Sequence, residues 1–166
     1  MIRPILRFGY TQGAFPGESR INPTQLQYPS LKLGGGPLIF LLCHTRYLEW
    51  EIEFTDEFGR WWNLLSESEQ ESVRAVVNLL KDHGPSLKYP FSSGVVSSRH
   101  AHMRELRIQH QGRPLRTLYA FDPLRVAILL VAGDKTGNER WYETQVPIAD
   151  RLYENHLAEL EKEGKI

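Results

Sequence analysis

The stretch from Met103 to Gly137, MRELRIQHQGRPLRTLYAFDPLRVAILLVAGDKTG, limits the possible folds more than any other part of the chain. Leu106 and Ile108 share one face of an extended run while Glu105, Arg107 and Gln109 share the other, the period of two that a half-buried strand requires. A second run, Leu115 to Phe121, is rich in aromatic and branched residues and carries Arg116 near its start. Asp122-Pro123 suits a type I turn, with Asp at the first position and proline fixing the second. Val126 to Ala132 is apolar without interruption, which fits a central strand covered on both faces. A buried helix gives the same run, but its length and bounding turns favour strand. The stretch therefore reads as an antiparallel meander bearing Arg104, Arg107, Arg116 and Lys135.

Charge is distributed unevenly along the 166 residues, although the formal net charge is zero. Glu51 to Asp82 carries eight acids against three bases, Ser97 to Arg140 eight bases against four acids, and Trp141 onward six acids against three bases. A basic centre between acidic flanks suits a polyanion, and a sheet with one solvated face gives the same count. The length fits one domain with a real core. Cys43 is the sole cysteine, so an intrachain disulfide and a thiolate metal cluster are both excluded. Pro37 to Cys43 is too short to span a bilayer and is not placed like a signal peptide, so the expectation is a cytoplasmic protein without a membrane partner.

Residues 1–47 differ from the rest. Pro4, Pro16, Pro23, Pro29, Pro37 and the run Gly34-Gly35-Gly36 break them into pieces shorter than a stable helix. The expectation is a disordered or loosely docked N-terminal extension that adds little to the fold, followed by one domain over 48–166. A misassigned start is the other reading. It requires a non-Met codon, for instance at Leu48, because the only other methionine is Met103.

From Trp50 onward the pattern is ordered. Trp50, Ile52 and Phe54 alternate with Glu51 and Glu53 as a first strand, and Thr55 or Asp56 can cap a short helix carrying Phe58, Trp61, Trp62 and Leu65. The paired tryptophans read as core rather than as a ligand cage. Ser66 and Glu69 form a capping box for a helix that buries Val73, Val76, Val77 and Leu80 and stops at Gly84-Pro85. Residues 86–99 read as a loop. Pro147 can open a last helix with Ile148, Leu152, Leu157 and Leu160 on one face. The order strand, two helices, three strands, helix is α+β, with helices expected mainly on one sheet face.

The chemistry on offer is cationic. The turn Gly133 to Asn138 lacks P-loop spacing, and His100, His102 and His110 lack partners at metal-ligand spacing. There remain Arg104, Arg107, Arg116 and Lys135 with Tyr119, Tyr142 and the three histidines nearby. Such a set suits RNA cleavage, in which a 2′-hydroxyl attacks its own phosphate. Arginine forks and a lysine point charge stabilise the phosphorane without a metal, and imidazole or phenol moves protons. A phosphate-binding surface without catalysis uses the same residues.

ELR at Glu105–Arg107, PLRTLYAFD at Pro114–Asp122, AILLVAGDKTG at Ala127–Gly137, RWYE at Arg140–Glu143 and PIADRLYENHLAEL at Pro147–Leu160 together resemble the RelE/HigB superfamily of bacterial toxins, in its phage-derived HigB-like branch. The resemblance covers roughly Glu49 to Gly164. It implies a RelE-like α+β fold: a small twisted sheet, mostly antiparallel, with two N-terminal helices and a C-terminal helix. It also implies a ribosome-dependent mRNA endonuclease of a type II toxin–antitoxin system, without a cofactor, held silent in complex with a helix-turn-helix antitoxin. Arg107 matches the family's arginine after Glu-Leu, Arg116 the one opening the next strand, and Lys135-Thr136 its lysine-threonine after the last strand. The chain departs where many members have Phe-x-Lys-Lys, having Ala132-Gly133-Asp134-Lys135. The catalytic candidates are thus Arg107, Arg116, Lys135, His102 and Tyr142, and the RNA-binding candidates Arg99, Arg104, Arg113 and Arg140. The alternative is a non-catalytic RNA- or protein-binding module, or a pseudo-toxin, on the same fold.

Overall fold

The computed structural model describes residues 50–166; the expectations for 1–47 and for Cys43 lie outside them. Eight principal elements follow in order: β1 (Glu51–Phe54), α1 (Asp56–Trp62), α2 (Glu67–His83), β2 (Ser92–Gly94), β3 (Arg104–His110), β4 (Arg113–Phe121), β5 (Val126–Asp134) and α3 (Trp141–Lys162). The strands form one sheet in the order β1-β5-β4-β3-β2. Only β1–β5 is parallel. The fold is α+β, as the order of patterns predicts.

Local chemistry sets the element ends. Thr55 Oγ1 accepts from the Phe58 amide to cap α1, and the same hydroxyl donates to the Leu130 carbonyl, tying the cap to β5. The Ser66–Glu69 capping box opens α2 as expected. Gly84 ends α2 at φ +52°, and a Cβ there would meet the Trp50 indole at 2.0 Å. Gln111 and Gly112, both with positive φ, close the β3–β4 hairpin in the twist that suits a two-residue turn. At the next turn Asp122 Oδ1 accepts from the Leu124 and Val126 amides, and the Arg125 amide donates to the Asp122 carbonyl.

Side-chain alternation sorts the core into two layers. Leu106, Ile108, Leu115, Tyr119, Ala127 and Leu129 face α1 and α2, with Phe58, Val73, Val76, Val77 and Leu80 packed over them. Leu118, Ala120, Val126, Ile128 and Leu130 face the other way, under Trp141, Val146, Ala149 and Tyr153 of α3. Two of the three helices lie on one face, in keeping with the expectation of helices mainly on one side, and α3 covers the other. The unbroken apolar run of β5 is the cause, since a strand apolar on both sides needs a layer on each. Two corrections follow. Part of the expected loop 86–99 is the edge strand β2, and α3 begins six residues before Pro147. Pro147 lies inside the helix, and burial of Trp141 and Val146 holds the turns before it. The inner stripe of α3 is Val146, Ala149, Tyr153, His156 and Leu160, with Ile148, Leu152 and Leu157 only partly buried. Among the described residues no helix is long and apolar enough to cross a membrane.

Glu69 links α2 to the sheet rim. Hydrogen bonds from the Ser66 hydroxyl and amide, then from Arg113, hold its carboxyl down at about 2, against an ordinary value of 4.5. The folded state thus prefers the ionised form. Its contribution is fully present above the unfolded pKa and is lost as pH falls from about 4.5 towards 2. Acid titration of unfolding should show that decline in the wild type and a shallower one in Glu69→Gln. Parallel curves for the two proteins would show that Glu69 is not the sensitive group.

Candidate functional site

Cross-strand register brings two of the cations together. Arg107 of β3 pairs with Arg116 of β4, which pairs with Gly133 of β5, so the three share the face covered by α3. At Gly133 a Cβ would lie 2.8 Å from the Trp141 indole nitrogen, and the lack of one lets the start of α3 settle onto the sheet. The next residue of that helix, Tyr142, reaches back over the row.

Glu105 organises the site. It is 4% exposed and lies between the two arginines. Ser93 Oγ donates to its Oε1 at 2.8 Å and Arg107 Nη1 to the same oxygen at 3.3 Å. Tyr142 Oη donates to Oε2, from which Arg116 Nε stands 3.6 Å away. Arg116 is itself buried and donates from Nη1 to the Leu115 carbonyl at 2.9 Å. Burial, and then the Glu105 carboxylate beside it, pushes the Tyr142 phenol up to about 12. The phenol therefore keeps its proton near neutrality. Lys135 Nζ lies 4.9 Å from the centre of the Tyr142 ring, a cation–π distance, and Lys135 also borders an open depression with Gly137, Asn138, Glu139 and Arg140. Two arginines meet one carboxylate and Lys135 stands over the neighbouring Tyr142 ring, so the cluster has positive charge to offer an anion.

Of the five catalytic candidates, Arg107, Arg116, Lys135 and Tyr142 meet at this site. His102 does not. Its Nε2 is 3.0 Å from Tyr153 Oη, and Tyr153 stands roughly 16 Å along α3 from Tyr142 at 1.5 Å per residue. Burial, then the neighbouring His100, lowers the His102 pKa.

The outer arginines are dispersed. Arg104 lies on the α2 side, donating from Nε to Ser92 Oγ at 3.1 Å and from Nη2 to the Leu87 carbonyl at 2.9 Å. Arg99 is paired with Asp150 and Glu154 of α3, and the exposed Arg140 with Glu143. Arg113 bridges Glu69 and Asp134. Asp134 is opposite Leu115 in register, and so projects to the α2 face rather than towards Arg116. Burial alone would raise its carboxyl, but the Thr136 hydroxyl and amide and the Arg113 guanidinium outweigh that and hold it low.

Sequence reading placed Glu105 on the wet face and missed its role. The available signal was an acid flanked by Arg104 and Arg107 on a strand otherwise basic and apolar.

The model of the family described as "Phage derived protein Gp49-like" matches residues 60–154. A Mycobacterium tuberculosis protein named "Putative toxin HigB2" is 39% identical over 125 residues, 74% of this chain and 61% of that protein. A second protein from that organism, "Putative toxin HigB3", is 45% identical over 100 residues, 60% of this chain and 86% of that protein. The chain thus spans under two thirds of the length of the first relative. No solved structure matches significantly.

Proposed function

This chain belongs to the phage-derived Gp49-like family, and from that premise we propose that it is the toxin of a type II toxin–antitoxin pair, a metal-independent endonuclease acting on mRNA in the translating ribosome. The observation that carries the reading is the gathering of Arg107, Arg116 and Tyr142 on Glu105, with Lys135 over the Tyr142 ring.

In this reading Arg107 and Lys135 hold the scissile phosphate and stabilise the charge that builds on its oxygens as the 2′-hydroxyl attacks. Arg116 is buried beneath them and fixes Glu105, acting on the phosphate through its field. Glu105 takes the proton of the 2′-hydroxyl by way of Tyr142, whose own proton moves to the carboxylate as it receives the new one. The bond to the 5′-oxygen breaks, leaving a 2′,3′-cyclic phosphate, and the departing oxygen takes a proton from water. His102 takes no part.

The partners required are a helix-turn-helix antitoxin and the ribosome with its mRNA. One fact favours a second reading: Glu105 already engages both arginines, so part of the charge is satisfied internally, as it would be in a non-catalytic RNA-binding module. Induced expression with mapping of transcript 5′ ends separates the two. The expected result is growth arrest, new 5′-hydroxyl ends within coding sequence, and rescue by a co-expressed helix-turn-helix antitoxin, should one be encoded beside this chain, as a stable complex. Arrest without new ends would favour the binding module; no arrest and no complex would reject the toxin.

A further inference from the structure

Beside Arg107 stand two aromatic rings that neither the fold nor the site uses. The Arg107 amide donates to the Phe91 carbonyl at 2.8 Å, continuing the β2–β3 ladder by one residue beyond Ser92↔Leu106. Phe91 is thereby opposite Arg107, at the end of the row that runs through Arg116 to Gly133. The Arg107 guanidinium carbon lies 5.5 Å from the centre of the Tyr89 ring. Tyr89 is 75% exposed and Phe91 41%, while the Arg107 side chain between them and the site is 34% exposed. A single exposed ring is ordinary, but exposed rings grouped at a polar rim mark binding surfaces, and these two are placed beside a phosphate-seeking cation. The packing of α3 on β4 and β5 leaves this end of the row open to solvent.

We propose that Tyr89 and Phe91 form a stacking platform for an unpaired nucleobase of single-stranded RNA next to the phosphate held by Arg107. The inference rests on the phosphate-binding reading of the site given above. The occupant follows from the pairing of chemistries. A nucleotide presents a flat π-face one sugar away from an anion, and the protein presents ring faces one side chain away from a guanidinium. Every base has a π-face, so this contact holds the strand in register with little preference among bases. Arg107 is then shared between Glu105, a phosphate oxygen and the face of the Tyr89 ring.

The test compares two RNA octamers with the same number of phosphates, one carrying adenines and one abasic, by fluorescence anisotropy with the full chain in low-salt buffer. The adenine octamer should bind about tenfold tighter than the abasic one, and Tyr89→Leu or Phe91→Leu should each weaken it about tenfold while leaving the abasic octamer unaffected. Tyr89→Phe should bind like wild type, because the ring and not the hydroxyl is at work. Arg107→Ala should weaken both octamers alike. Equal affinity of the wild type for the two octamers would overturn the platform and leave the phosphate site standing, as would leucine variants with unchanged adenine binding. Failure of the wild type to bind either octamer would overturn the phosphate site and the platform with it.

Discussion

Arg107→Ala is expected to abolish growth arrest and to reduce the yield of new transcript ends by about 10²-fold or more, the usual loss when one stabiliser of a developing oxyanion is removed. The fold should survive, because Arg107 is partly exposed and the buried Glu105 keeps Ser93, Tyr142 and Arg116 as partners. Arg107→Lys keeps the charge but not the planar fork, and should recover only part of the activity. Lys135→Ala should act in the same direction with a smaller effect, since Lys135 is held at the rim by a ring face rather than within the row. Arg116→Ala belongs in a different class. Arg116 is buried, so its removal also costs stability. Wild-type arrest by Arg107→Ala at matched expression would remove Arg107 from the chemistry.

Glu105→Ala should be the most destabilising single change at the site. It leaves the Arg116 guanidinium buried without its counter-charge and deprives Ser93, Arg107 and Tyr142 of their common acceptor. Breaking a buried pair from one side typically costs about 3–5 kcal/mol. For a domain of this size that lowers the thermal midpoint by about 10 °C or more. Glu105→Gln keeps the shape and one acceptor oxygen and should lose less stability, although Arg116 still lacks its counter-charge, and it cannot take a proton and should be inactive. Removing the carboxylate's charge should also let the Tyr142 phenol titrate below its present value of about 12, though not back to normal, because burial is the larger cause. Melting curves and ultraviolet titration read the two effects separately. A Glu105→Ala midpoint close to wild type would show that Arg116 finds water instead.

Features encoded by neighbours in the chain were legible in the sequence. The alternation of Leu106 and Ile108, the Ser66–Glu69 box and the Val73, Val76, Val77, Leu80 stripe each depend on residues within a turn or two, and each is present as read. What depends on assembly was not legible. Ser92 to Gly94 has no apolar signal because Ser92 is buried by a hydrogen bond to Tyr119 Oη, 27 residues away, rather than by grease. Glu105 reads as solvated until Arg116 and Tyr142, from two other elements, are seen to converge on it. The start of α3 was set too late because proline is a strong local cue, whereas the packing of Trp141 against Gly133 is a tertiary one. Of the proposed site, the row of Arg107 and Arg116 follows from strand register, but the distance of His102 from it does not.

The parallel pairing of β1 with β5 has a kinetic consequence. Glu51 finds its partner only at Val126, and the Thr55 amide and hydroxyl, which seal the junction, bond to the Leu129 and Leu130 carbonyls. The hairpins β3–β4 and β4–β5 close short loops and can zip early, whereas β1 must wait for a long loop to close before any contact repays the entropy. On a chain growing from its N-terminus, β1, α1 and α2 emerge first and have no sheet centre to dock on until β5 is made. Nucleation therefore belongs to the meander, and mutations in β1 should accelerate unfolding far more than they slow folding.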